Sequence, residues 1–201
     1  INEKEMMIKV VKTIQSVCDL PLQIDSSDPE AIEAGLRIFN GKAIVNSVNG
    51  EDEKINTILP IVKKYGASVI GLAMDENGIP DTAEKRIAIA ERILDKAMSM
   101  GINKEDVFID CLTLTVSAQQ EQAVETLKAV RYVKEKLGLH NVLGVSNISF
   151  GLPAREYITT NFLTQAMYAG LDLPIINPNQ QAVMDAVCSY RVLSGEDVNS
   201  E

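Results

Sequence analysis

Residues 142–153 read VLGVSNISFGLP. The run opens as a continuous apolar strand rather than an alternating one, as a parallel strand covered on both faces should. It then sets an amide, Asn147, where another apolar residue would continue it, shortly before the chain breakers Gly151 and Pro153. The same arrangement recurs along the chain. Short apolar runs at 21–24, 42–45, 68–73, 107–109 and 173–176 are followed by Asp25, Asn46, Asp75, Asp110 and Asn177, and 142–145 is followed by Asn147.

Amphipathic stretches separate these runs. Ile32, Leu36 and Phe39, then Ile87, Ile93 and Ala97, then Leu127, Val130, Val133 and Leu137, fall at helical spacing. An N-terminal helix is expected to show Met7, Val10, Val11, Ile14 and Val17 on one face. Gly101, Gly138, Gly170 and Gly195 stand where helices should stop. Ser27 or Asp28 before Pro29, Asp81 or Thr82, and Asn177 before Pro178 stand where helices should start. Pro60 should kink or interrupt the helix expected over 52–65.

Strand and helix in regular alternation imply either a (β/α) barrel or a doubly wound sheet. A complete barrel takes ~250 residues. A chain of 201 residues whose six strands follow a helix therefore reads as a (β/α)8 TIM barrel lacking its first two strands, in one domain over residues 1–201.

Composition narrows the function. Acidic side chains number 28 against 19 basic ones, a net charge of -9 with no Lys/Arg-rich stretch, so the electrostatic footprint of a nucleic-acid binder is missing. No apolar run approaches the ~20 residues of a membrane span. Cys18, Cys111 and Cys188 are far apart and lack paired spacing, which argues against a disulfide framework or a metal site and favours a reducing, cytoplasmic setting. Neither a Gly-rich dinucleotide fingerprint nor a P-loop occurs.

In a barrel, the residues that follow the strands converge on one rim, where the active sites of such folds lie. Short polar residues also begin loops and cap helices, and Asn177 fits a cap and Asp75 a turn before Gly78 and Pro80. Asp25, Asn46, Asp110 and Asn147 remain as site candidates. An ionised carboxylate accepts two hydrogen bonds, and an amide both donates and accepts. Two of each suit a neutral heterocycle with an amidine-like edge, such as a pterin, a guanine or another purine.

The stretches QIDSSDPEAIEAGL, GKAIVNSVNGE, VFIDCLTLTVS and GVSNISFGLPAREY occur in this order. Together they resemble the pterin-binding domain family, and within it the methyltetrahydrofolate:corrinoid methyltransferases and the folate-binding module of cobalamin-dependent methionine synthase. The resemblance runs from about Asp19 to Leu193. It implies a TIM barrel that binds 5-methyltetrahydrofolate, with Asp25, Asn46 and Asp110 on the pterin ring. It further implies Asn147 as the catalytic residue, hydrogen-bonded to N5, and Phe150 and Arg155 on the substrate side. The methyl acceptor it implies is Co(I) of a corrinoid on a separate protein or cobalamin domain, with no metal held by this chain and with homodimerisation expected. Dihydropteroate synthase, the alternative inside the family, carries a lysine in the strand that here leads to Asn147 and a basic motif where this chain reads INPNQ. A non-catalytic pterin-binding module is the alternative outside enzymology. His140, the lone histidine, precedes its strand and so belongs to the opposite rim, and Cys111 reads as a packing residue.

Overall fold

The computed structural model describes residues 2–198. In chain order these form α1 (Glu3–Gln15), β1 (Gln23–Asp25), α2 (Pro29–Ile38), β2 (Ile44–Val48), α3 (Asp52–Tyr65), β3 (Ser68–Leu72), α4 (Ala83–Ser99) and β4 (Val107–Asp110). They continue as α5 (Gln122–Tyr132), β5 (His140–Gly144), α6 (Arg155–Ala169), β6 (Leu173–Ile175) and α7 (Gln181–Leu193). All six strands expected from the sequence are present, displaced by no more than two residues at either end except β2, which reaches Val48.

The sheet follows chain order, and the β1–β2, β2–β3 and β5–β6 pairs are parallel. A doubly wound sheet reverses its strand order at a switch point. Sequential parallel order is that of a (β/α) barrel, and six of its strands lie among the described residues. The chain packs as two compact units, one running up to Gly78 and including Ala88–Ile109, the other made of Ile79–Ile87 and the residues from Asp110 onward.

In the first unit, Ile24, Val45 and Val69 from the strands and Ile32, Ile55, Leu59, Val62 and Ile93 from the helices are buried. Burying each such side chain is worth about 1.5–3 kcal/mol. Asp28 caps α2 as the sequence implied, its carboxylate accepting from the Glu30 N–H at 2.9 Å with Pro29 in the first turn. The face of α1 is narrower than expected. Val11 is buried, but Val10 is exposed and Val17 lies beyond the end of the helix. Helix α3 runs through Pro60 without interruption. Pro60 and Asn56, whose carbonyl loses its helical partner, are both exposed, so water takes the freed acceptor. Gly50 is required by close packing: a Cβ there would come within 2.8 Å of Ile89 and 3.1 Å of the Met74 carbonyl, which accepts the Gly50 N–H.

The second unit buries Val142 and Leu143 of β5 together with Val130, Leu163 and Ala166 of its helices. His140 starts β5 and pairs with Asp172 at 3.3 Å, alongside Lys134 and the Asn141 N–H, a structural cluster at the N-terminal end of the strand. Asn177 does not cap α7. Its side chain accepts from the Asn179 N–H at 3.0 Å in a turn, and the helix starts only at Gln181. The ring of Pro178 leaves Asn179 the first N–H downstream for that oxygen, so the Asx turn forms there instead.

Candidate functional site

At the C-terminal end of β1, Asp25 is the register partner of Asn46. Register neighbours on parallel strands present side chains to the same face, and the Asn46 amide donates to Asp25 Oδ2 at 3.3 Å. Asn46 lies within β2 rather than after it. The pairing with β3 then skips Ser47, so that Val48 faces Gly71. A skipped residue of this kind re-aims the side chains around it. Asp25 and Asn46 line a cavity of about 220 Å³ together with Ser27, Asn49 and Lys54. Sequence reasoning missed these three. Asn49 is held by Glu51, whose N–H it also accepts.

Asp110 ends β4 and is 9% exposed. Burial pushes its carboxyl up to about 6, against the opposing pull of the Leu112 N–H and of the Arg86 guanidinium. The Leu112 N–H reaches Asp110 Oδ1 at 2.7 Å, and Leu112 itself sits at φ 63, which turns its carbonyl rather than its N–H. For a bulky side chain that left-handed conformation is strained. Cys111 is buried and its thiol is pushed up by the same loss of solvent, which makes it the packing residue that the sequence implied.

Asn147 stands on a 3₁₀ turn, Val145–Ser149, that follows β5. It is exposed, and its side-chain amide lies over Gly144, where a Cβ would come within 3.1 Å of Nδ2. Among the described residues that amide has no hydrogen-bond partner, leaving its N–H groups available. The turn is braced from α6. Arg155 donates through Nε to Ser149 Oγ at 3.1 Å and through Nη2 to the Ser146 carbonyl at 2.8 Å, and Ser149 meets Thr159 at 2.8 Å. Phe150 is exposed, with the Arg155 guanidinium 5.8 Å from its ring centre. Arg155 also lines a cavity of about 600 Å³ with Ser146, Thr159, Asn177 and Gln181. Asp25 and Asn46 thus meet in one unit, Asn147, Phe150 and Arg155 in the other, and Asp110 belongs to a buried network around Arg86.

Thr113 Oγ1 is the one buried side-chain N or O atom among the described residues with no hydrogen-bond partner. Leaving a hydroxyl unpaired costs about 1–3 kcal/mol. Thr113→Val is therefore expected to raise stability by about 1 kcal/mol in a urea titration, and a loss of that size would show that the hydroxyl has a partner after all.

Comparison with known proteins matches residues 1–177 to the family described as pterin binding enzyme. A methionine synthase of Mycobacterium leprae is 35% identical over 180 residues, covering 83% of this chain and 15% of that protein. A methylcorrinoid:tetrahydrofolate methyltransferase of Eubacterium limosum is 29% identical over 198 residues, covering 97% of this chain and 73% of the relative. The chain thus spans a small part of the methionine synthase and most of the methyltransferase. In fold it is similar to dihydropteroate synthases. That of Yersinia pestis matches with a TM-score of 0.74 at 16% identity over 96% of this chain and 76% of its own, and that of Xanthomonas albilineans with 0.74 at 19% over 93% and 72%. Those structural likenesses establish the barrel-type fold, and the family match over 1–177 establishes the kinship: the chain belongs to the pterin binding enzymes.

Proposed function

We propose that this chain is the folate-binding part of a methyltransferase, moving a methyl group between N5 of 5-methyltetrahydrofolate and the cobalt of a corrinoid held by a separate protein or domain. The observation that carries the reading is the Asn147 amide, unpaired and held over Gly144 by a turn that Arg155 braces. Asp25, Asn46 and Asp110 supply the acceptors and the amide that a pterin edge pairs with. The corrinoid supplies a cobalt nucleophile for the methyl group.

A methyl on a tertiary amine leaves only if its nitrogen gains a proton or a strong hydrogen bond as the C–N bond breaks. An amide is no acid, yet an N–H fixed on N5 stabilises the transition state more than the ground state as charge develops there. The proton itself comes from solvent. Microscopic reversibility lets the same group serve transfer in either direction, which fits two relatives, one named for methionine synthesis and one for methyl transfer to tetrahydrofolate.

Dihydropteroate synthesis has to expel pyrophosphate, which calls for Arg or Lys. Around the cavity beside Asn177 and Gln181, Arg155 is the one such cation in the lining, and two of its nitrogens are already bonded to the protein. The test is calorimetric titration with 5-methyltetrahydrofolate followed by single-turnover transfer to Co(I) cobalamin, and the reverse transfer from methylcobalamin to tetrahydrofolate. Binding with transfer is the expected result. Binding without transfer in either direction would leave a pterin-binding module with another purpose.

A further inference from the structure

Arg86 is fully buried, yet no carboxylate among the described residues is hydrogen-bonded to it. It sits in the first turn of α4, and its fork of donors is spent on neutral acceptors. Nε donates to the Pro80 carbonyl at 2.9 Å and Nη2 to Gln122 Oε1 at 2.6 Å, while Nη1 lies 2.9 Å from the Cys111 carbonyl, 3.0 Å from that of Leu112 and 2.8 Å from Thr126 Oγ1. A buried guanidinium with no carboxylate bonded to it is costly, even with Glu125, Asp81 and Asp110 acting on it at longer range. Two of its three carbonyl partners follow Asp110 directly: the Cys111 carbonyl shares a peptide plane with the Leu112 N–H that reaches Asp110, and the Leu112 carbonyl is turned by the positive φ of its residue.

We propose that Arg86 is a positioning residue for Asp110: by clamping the Cys111 and Leu112 carbonyls it holds the strained turn closed, so that one carboxylate oxygen stays on the Leu112 N–H and the other is presented to the ligand. The inference rests on the folate reading only for the identity of that ligand. The strain argues for it, because a left-handed leucine persists only where its surroundings over-determine it, and the planar fork supplies several fixed donors that a lysine could not. Thr126 completes the clamp, since its hydroxyl also lies 3.0 Å from the Leu112 carbonyl. The charged and titratable groups around the pair are Arg86 itself, Cys111 beside Asp110, and Glu125 and Asp81, which act on the guanidinium.

The test compares wild type, Arg86→Lys and Thr126→Val by carbon NMR titration of the Asp110 carboxyl without ligand, and by calorimetry with 5-methyltetrahydrofolate from pH 5 to 8. Thr126→Val is near-isosteric and keeps the buried charge, so it decides the matter if Arg86→Lys does not fold. In wild type the Asp110 carboxyl titrates near 6, and affinity falls about tenfold per pH unit below that. Loosening the turn weakens the Leu112 N–H bond. Both variants are therefore expected to move the midpoint upward, and Arg86→Lys to lose about tenfold or more in affinity at pH 7.5. A role in stability alone would lower the melting temperature and leave the midpoint in place, which overturns the proposal. If wild type binds no folate at any pH, the ligand reading fails, while the NMR midpoint still decides whether Arg86 positions Asp110.

Discussion

Asn147→Ala is expected to slow single-turnover methyl transfer about 100- to 1,000-fold, the usual effect of removing a donor aimed at developing charge. Affinity for 5-methyltetrahydrofolate should fall by no more than about tenfold, because a neutral hydrogen bond in the ground state is worth only about 0.5–1.5 kcal/mol. The separation of the two effects is the substance of the prediction. An amide that only held the substrate would cost affinity and leave the transfer rate at saturating folate unchanged. Folding should be unaffected, since the side chain is exposed and unpaired and the turn is held by Arg155 through Ser146 and Ser149. Asn147→Asp sharpens the test, because it keeps the shape and one acceptor oxygen while removing the N–H. It should be at least as slow as the alanine variant. Transfer by either variant within about threefold of wild type, where the loss of a working donor costs far more, would remove Asn147 from the mechanism.

The strands were legible because six continuous apolar runs admit little else, and their polar endings marked Asp25 and Asp110 as the last residues of their strands, with Asn46 in the middle of β2. Asn147 was singled out on a wrong premise. It does not end its strand but sits three residues beyond β5, on a 3₁₀ turn whose apolar Val145 and Ile148 are buried and so mimicked a longer strand. Of helix α6 only the stop at Gly170 was read from the sequence, because its buried face mixes Thr159 with Phe162, Leu163, Ala166 and Met167 and so shows little periodicity. That threonine is inside because it supports Ser149.

Arg86 escaped for a related reason, although a signal existed. The buried face of α4 includes Ala83, Arg86, Ala90, Ile93 and Ala97, at spacings of three and four, so the arginine lies on the apolar face and not beside it. Extending the stripe backward from Ile93 through Ile87 instead hid the only charge it carries. On α5, Gln122 and Thr126 are likewise buried at a spacing of four, and both face Arg86. Buried polar groups are paired groups, so a charge on an apolar stripe and two polar residues on another helix's inner face point to each other. Binary patterning treats each of them as noise.

Asp110→Asn is expected to abolish useful folate binding and at the same time make the protein more stable. The sign follows from burial. Asp110 titrates at about 6 in the folded chain against 3.8 for a free side chain, so the folded state binds the extra proton. The stability this confers is fully present below the unfolded value near pH 4 and is lost as pH rises through 6. Above that, holding the carboxylate ionised in its buried place costs up to about 3 kcal/mol. Asparagine removes the charge and retains an acceptor oxygen for the Leu112 N–H, so at pH 7.5 the variant should melt several degrees higher, at about 2–4 °C per kcal/mol for a chain of this size. Near pH 4 the two melting temperatures should converge, which separates this cause from any packing effect. Binding should fall about 100-fold or more, since the carboxylate oxygen turned to the ligand accepts a charge-assisted hydrogen bond worth about 1.5–3 kcal/mol, and an amide whose oxygen stays on the Leu112 N–H turns a donor toward the pterin's donor instead. A variant that binds folate normally would take Asp110 out of the site, and one with unchanged stability across pH would mean that its carboxylate is not held against a desolvation cost. On the proposed reading, the folate accounts for a residue that the fold would be better without, kept where its charge is most expensive.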